Sequence, residues 1–319
     1  ILQEEESYTK ALSWSRIAYT LEAVLSPVFA AIMLNLVTYE ALFCAAAAAF
    51  LGSVIALLAV RFPSSTKVNC KGPFLKRAGR GLWIYRQTPR LRGLFLLNLA
   101  LSLVMAWVLV NSVVYAGVRM GDAERYYPFL MAFYGMGAVM GATAISPWLR
   151  KMSVRSVMLS GAFGFTAIGA GFALLQPISM PILASVWVAF GVASSLVLTP
   201  GALVITRSVA PGSRASVFAA QFSLSHAGWL IAYPLAGWLA AYFSLELALL
   251  LLSGAGALVA GLAMSFWPAN DPLERQHGHP ELPDDHQHLK LLPALGPLHQ
   301  HSHAFRIDEL HPTWSREPL

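Results

Sequence analysis

The sequence predicts an all-α polytopic membrane protein with eight transmembrane helices. Of the 319 residues, 56% are hydrophobic and only 12% are charged, which is about half the charged fraction of an ordinary soluble domain. Continuous apolar segments recur over the first 266 residues, and they are too long and too uniform to be strands of a transmembrane barrel. Because backbone amides must be paired inside a bilayer, these segments are expected to be helices.

The positions of the helices follow from the roughly 20 apolar residues that a helix needs to cross a bilayer core. Eight segments are long enough to do so. The predicted spans are residues 13–35, 41–60, 93–118, 127–149, 154–175, 182–205, 215–242 and 245–266. This composition excludes a soluble enzyme, a nucleic-acid reader and a disordered scaffold.

Four parts of the chain are distinguished by these spans. Residues 1–60 hold two helices, residues 61–92 form a basic loop, residues 93–267 hold six helices, and residues 268–319 form a tail. The two cysteines are too few for a disulfide framework. The chain starts without a basic, apolar leader, so we expect no signal peptide in it and further protein upstream.

Lysine and arginine are concentrated on one side of the predicted spans. Alternating the loops between the two sides places 20 of the 22 basic residues on one side, and only Arg119 and Arg125 on the other. Basic loops remain in the cytoplasm, so we expect a bacterial inner (plasma) membrane protein with both termini of this chain cytoplasmic. This topology accounts for the net positive charge. The expected partner is therefore the lipid bilayer, and no nucleic-acid partner is expected.

The tail differs in composition from the rest of the chain. Residues 271–319 contain seven prolines, eight acids and eight of the nine histidines, with no apolar periodicity, which predicts a mostly disordered cytoplasmic segment. Paired imidazoles near carboxylates suit nickel, cobalt or zinc; no other cofactor is expected. The candidate metal ligands are His277, His279, His286, His288, His299, His301 and His303.

Few ionisable side chains lie inside the spans, and each is therefore a candidate functional residue. Arg16, Tyr19 and Glu22 follow one another at intervals of three residues, which places them on one face of the first helix. Glu22 is a candidate proton site and Arg16 its neutralising partner. Alternatively, Arg16 extends to the cytoplasmic interface and Glu22 only pairs with a neighbouring helix.

The seventh span contains the one histidine that the sequence places within the membrane, His226. Trp229 shares its helical face, and an imidazole titrates near neutrality, as proton coupling requires; a hydrogen bond to a neighbouring carbonyl is the structural alternative. Asn98 and Asn111, in the third span, lie on nearly opposite faces, so at most one should line a cavity, and either can join helices.

Two further patterns concern packing and gating. Gly135, Gly137 and Gly141 form a small-residue surface of the kind that lets membrane helices approach closely. Residues 146–155 form a short basic loop with Arg150, Lys151 and Arg155. This loop resembles the second-half copy of a short basic loop in the major facilitator superfamily, although the usual aspartate falls at Arg150.

A second resemblance involves residues 200–207 and 218–237, which are similar to helices ten and eleven of proteobacterial efflux members of that superfamily. Those relatives include drug exporters and nickel-resistance exporters, some with a His-rich tail. The resemblance implies that the eight spans are helices five to twelve of a truncated twelve-helix fold. The resemblance further implies that residues 146–155 form a gating loop and that Glu22 and His226 are candidate proton-coupling residues.

The implied function is secondary active transport of a small molecule by alternating access, with proton-coupled efflux and without enzymatic activity. The transporter is expected to be a monomer that binds protons and a small-molecule or ion substrate. A divalent transition-metal exporter is the first alternative, and the tail supports it. A membrane-embedded enzyme or assembly subunit is the second, although clustered catalytic acids are missing from the spans.

Overall fold

Long α-helices followed by a short β-ribbon make up the structure, a computed structural model. It describes residues 36–59, 74–176, 179–272, 274–278 and 301–308, and the single positions 14, 17, 18, 22, 33, 310, 311 and 314. The helices are α1 (Tyr39–Ala59), α2 (Phe74–Gln87), α3 (Pro89–Met120), α4 (Ala123–Leu149), α5 (Val154–Leu175), α6 (Met180–Leu198), α7 (Gly201–Ser208), α8 (Arg214–Tyr242) and α9 (Leu245–Phe266). Strands β1 (Glu274–His277) and β2 (His301–Ala304) form an antiparallel pair.

Six helical segments in the described ranges are long and apolar enough to cross a membrane. They are α1 from Glu40 onward, α3, α4, α5, the α6–α7 segment and α9. Helix α8 has 29 residues, and polar side chains such as Gln221 and His226 interrupt its apolar sequence. The predicted all-α polytopic fold is confirmed. The first predicted span, 13–35, lies largely outside the described residues.

The ends of the helices follow from local sequence signals. Helix α3 begins at Pro89, whose missing N–H is no loss in a first turn. It ends at Met120, and the next residue, Gly121, adopts a left-handed conformation with φ of 80°. Helix α4 is capped by Asp122, whose side chain accepts a hydrogen bond of 2.9 Å from the backbone N–H of Arg125. Helix α3 therefore extends beyond the predicted span 93–118.

The predicted span 182–205 is divided in the structure into α6 and α7. Pro200 has no backbone N–H and cannot donate to the carbonyl one turn before it, so the helical hydrogen bonds are interrupted there. The interruption is local, because the N–H of Thr199 still donates to the carbonyl of Ser195 at 3.0 Å and the N–H of Val204 to that of Pro200 at 3.1 Å.

Helix α3 lies at the centre of the bundle and packs against α9, α8, α4 and α5. Aromatic side chains join α3 to α5 and α5 to α6. Trp107 of α3 contacts Phe172 of α5, and Phe172 packs edge-on against Trp187 of α6 with ring centroids 5.3 Å apart. All three side chains are buried. Described side chains of α1, by contrast, are exposed or half-buried.

Helices α4 and α6 form the most extensive contact in the bundle. A β-carbon on Gly137 would lie 1.9 Å from the carbonyl oxygen of Val188, and one on Gly191 would lie 2.0 Å from that of Tyr134. The two backbones are therefore closer than any other residue would allow. The hydroxyl of Tyr134 also donates to Ser194 Oγ across this contact, at 2.9 Å.

The described parts of the tail are ordered, although the sequence predicted a mostly disordered segment; for the rest of residues 268–319 this stays a prediction. Strands β1 and β2 pair in a register that sets Arg275 opposite His303, and Phe305 and Ile307 beyond β2 are buried in the core of the bundle. The apolar residues of the tail are too few to give a periodic pattern. They are ordered by docking on distant helices, which composition does not reveal.

Candidate functional site

The exposed face of α8 carries the polar and aromatic residues that the sequence singled out. His226 is exposed, Trp229 is half-buried, and Tyr233 one turn further along is exposed. The rings of Trp229 and Tyr233 stack with centroids 5.1 Å apart. The spacing of three and seven residues aligns the three side chains along one side of the helix. We call His226, Trp229 and Tyr233 the α8 face.

The imidazole of His226 is held by the residue one turn before it. Its Nδ1 lies 2.8 Å from the carbonyl oxygen of Phe222, and its ring lies against the phenyl ring of Phe222 at 3.9 Å. A carbonyl can only accept a hydrogen bond, so Nδ1 carries the proton and the neutral ring has its lone pair on Nε2. The Nε2 atom of the neutral ring is thus left as a hydrogen-bond acceptor.

The two asparagines of α3 have different surroundings. Asn111 is buried, and its side-chain amide donates to the carbonyl of Ala236 in α8 at 3.1 Å, so it joins two helices. Asn98 is half-buried, and its amide donates to the carbonyl of Leu94 in its own helix at 2.8 Å. Neither contact brings an asparagine side chain to the imidazole of His226.

The structure describes only one of the three candidate residues in the first span. Glu22 is helical and exposed. Arg16 and Tyr19 lie outside the described residues, so the predicted pairing of Glu22 with Arg16 stays a prediction.

The short basic loop between α4 and α5 contacts the end of α9. Arg155 Nε donates to the carbonyl of Trp267 at 2.6 Å, and its Nη2 donates to that of Met264 at 3.2 Å. These carbonyls lie at the negative end of the α9 dipole, so the guanidinium caps that helix. Arg150 and Lys151 are exposed on the same loop.

Sequence reasoning missed an ionic cluster that fixes the tail to the bundle. Arg90 at the start of α3 forms a two-pronged ion pair with Asp271, and its Nη2 also donates to the carbonyl of Pro272 at 2.7 Å. Asp271 pairs with Arg275 as well, at 3.1 Å. Both guanidinium groups lie over the ring of Trp314, at 5.5 and 5.1 Å. We call Arg90, Asp271, Arg275 and Trp314 the tail anchor.

The tail anchor left one signal in the sequence. Asp271 is the first acidic residue after the last span, in a chain whose loops on one side of the predicted spans are basic. In the sequence, Arg90 contributes only to the positive charge that predicts the topology. Its side chain is 5% exposed and that of Asp271 6%, and a buried charge of this kind requires a partner.

Of the candidate metal ligands, the structure describes His277, His301 and His303 in the ribbon. The rings of His301 and His303 stack at 5.3 Å, and His311 lies 5.2 Å from His303. Within the described ranges, no group of three or more potential ligands is arranged to hold a metal ion. The remaining ligands, His279, His286, His288 and His299, lie outside them.

Asp308 forms a further contact within the tail. Its Oδ1 accepts hydrogen bonds from the backbone N–H and the Nδ1–H of His311, each at 2.8 Å. Burial alone would raise the pKa of Asp308, but the hydrogen bonds from His311 outweigh it and hold the pKa below its usual value.

Comparison with known protein families now connects these features. Residues 124–307, more than half of the chain, match the family described as Major Facilitator Superfamily. The chain belongs to the major facilitator superfamily. No curated protein matches it. Membership identifies this major facilitator protein as a membrane transporter, and the match extends from α4 through the described part of the ribbon to Ile307.

Proposed function

We propose that this major facilitator protein exports a small molecule in exchange for protons, with the α8 face lining the substrate path. The observation that supports the proposal is His226, an exposed imidazole within a 29-residue helix of a membrane transporter. Ionisable side chains in membrane helices face a water-filled cavity or a protein partner rather than lipid. Water or a second helical layer is therefore expected to cover this face.

The chemistry of the α8 face suits exchange of a proton for a cationic or aromatic molecule. The stacked rings of Trp229 and Tyr233 present π surfaces that attract organic cations. Protonation of His226 at Nε2 would place a positive charge one turn away and repel such a cation. Proton binding and substrate binding would then exclude each other, as antiport by alternating access requires.

Three further groups belong to the proposal. Glu22, with Arg16 and Tyr19, is the second candidate proton site. Arg155, which caps α9, would respond to movements of that helix relative to the loop between α4 and α5. Residues 61–92 would lie in the cytoplasm of a bacterial inner membrane.

Ethidium efflux tests the proposal in inverted membrane vesicles that contain the complete gene product. We expect acidified vesicles to accumulate ethidium, and His226→Ala to lower the rate at least tenfold and remove its pH dependence. Ser225→Ala, a substitution of the neighbouring half-buried residue, is the matched control and should retain both. Wild-type rate and pH dependence in His226→Ala would contradict proton coupling at this residue.

A divalent-metal exporter is the second candidate function, and the seven candidate ligand histidines of the tail favour it. Calorimetry on the full chain should then detect Ni²⁺ or Zn²⁺ binding, micromolar to order of magnitude, that weakens as the pH falls through about 6.5. Alanine at positions 299, 301 and 303 should remove it. Unchanged metal tolerance in cells that express the protein without its tail would reject the metal exporter. If the vesicles transport no substrate at all, the remaining alternative of a membrane-embedded enzyme or assembly subunit would be favoured.

A further inference from the structure

Helix α2 is fixed firmly against the beginning of α8. A β-carbon on Gly81 would lie 2.2 Å from the carbonyl oxygen of Ser216, so the two backbones are in direct contact. Tyr85, which is buried, donates a hydrogen bond from its hydroxyl to the side chain of Gln221. Burial raises the pKa of the Tyr85 hydroxyl, which keeps it a neutral donor. This contact fixes the position of the opposite, exposed side of α2.

An apolar groove lies beside this contact, between α2, the beginning of α3, α8 and the end of α9. Its volume is about 310 Å³, within the range of small-molecule sites. The walls are almost entirely apolar, and the two cationic groups in the lining are Arg86 and Arg92. The apolar lining residues are Leu82, Phe95, Leu96, Leu224 and Phe266.

The charges and the apolar walls lie at different depths along the helices. Arg92 is in the first turn of α3, and Phe95 and Leu96 follow it by roughly one turn, or about 5 Å. Phe266 is the last residue of α9, and the guanidinium of Arg92 lies 5.3 Å above its ring. Arg86 is exposed beside them. The groove thus has a cationic rim at the helix ends and apolar walls toward the membrane interior.

We propose that this groove binds one anionic phospholipid, with its phosphate between Arg86 and Arg92 and an acyl chain along Phe95 and Leu96. Two cations at the rim complement an anionic headgroup, whereas the apolar walls complement a hydrocarbon chain. Basic pockets between membrane helices on the cytoplasmic side recognise such headgroups. The groove shares no lining residue with the α8 face, so the lipid would not occupy the proposed substrate path.

Native mass spectrometry of the delipidated full chain, titrated with phosphatidylglycerol or phosphatidylcholine, tests the proposal. We expect one phosphatidylglycerol to bind before others, and more tightly than phosphatidylcholine. Arg86→Gln and Arg92→Gln should each weaken it by roughly fivefold, the effect expected of one basic residue near an anionic headgroup. Arg125→Gln, with the same charge change at the other end of the helices, is the matched control.

Two outcomes would overturn the proposal. Equal affinity for the two lipids would show non-specific association of lipid tails, and an equal loss in Arg125→Gln would show diffuse attraction by net charge. A photo-crosslinking residue at Leu82, which is 47% exposed, gives a second measurement that needs no change in the arginines. It should crosslink phosphatidylglycerol in preference to phosphatidylcholine in mixed vesicles, and absence of that preference would also contradict the proposal.

Discussion

Substitution of Gly191 by alanine tests the closest helix contact in the bundle. The added β-carbon would lie 2.0 Å from the carbonyl oxygen of Tyr134 and 2.5 Å from the backbone nitrogen of Ala138, whereas real contacts of this kind stay above 3.0 Å. Because the obstacle is backbone, α4 and α6 must separate by about 1 Å. Overpacking of this kind costs about 1–3 kcal/mol.

The cost should reach the upper end of that range for two reasons. No flexible side chain can move aside, and separation of the helices stretches the hydrogen bond from Tyr134 to Ser194, which contributes about 1 kcal/mol. A total of about 3 kcal/mol corresponds to a fall in melting temperature on the order of 10 °C for a domain of this size.

Thermal unfolding of the purified protein in detergent measures this effect. Gly254→Ala is the matched control, because Gly254 also lies within a long helix and nothing would lie within 4 Å of its β-carbon. Alanine there should leave the melting temperature unchanged or raise it slightly, since alanine is favoured over glycine in helices by about 0.5–1 kcal/mol. Equal melting temperatures in Gly191→Ala and Gly254→Ala would refute the close approach of α4 and α6.

Three further outcomes are expected. A cysteine at Ser64 should resist a membrane-impermeant thiol reagent added outside the cell, whereas one at Asp122 should react; the reverse would invert the topology. Asp271→Ala should lower stability by about 3 kcal/mol, because it removes the carboxylate that both buried arginines of the tail anchor contact, and an unchanged melting temperature would contradict this. Since the pKa of Asp308 is lowered on folding, protection of residues 301–308 from hydrogen exchange should hold above about pH 4 and decline below it; Asp308→Asn should lack that decline.

The sequence predicted the long helices well because their apolar length is a local property. The predicted spans 154–175 and 245–266 coincide with α5 and α9, where serine caps begin each helix. The predicted span 182–205 did not include the interruption at Pro200. Proline marks a break in the sequence, but neighbouring contacts decide whether the helix continues, as it does through Pro234 in α8.

Features that depend on distant contacts were predicted less well. The ribbon pairs residues up to 30 positions apart, such as Glu274 and Ala304, and the tail anchor joins Arg90 to Asp271, 181 positions away. No local pattern connects either pair. Asn111 was expected either to line a cavity or to join helices, and the structure shows it hydrogen-bonded to Ala236 of α8. His226 has a definite environment on α8, but its relation to Glu22 depends on residues outside the described ranges.

The contacts between helices of residues 89–266 bear on how such a transporter would move. Three contacts connect helices that are not consecutive. The backbones of α4 and α6 pack directly against each other, Asn111 of α3 donates a hydrogen bond to α8, and Arg119 of α3 forms an ion pair with Glu246 of α9. A change at one helix must therefore displace its neighbours as well. Alternating access is largely a rocking of rigid repeats, and this set of contacts favours motion of residues 89–266 as one body. Proton binding at His226 would then act on the contact between this body and whatever covers the α8 face, rather than on packing within it.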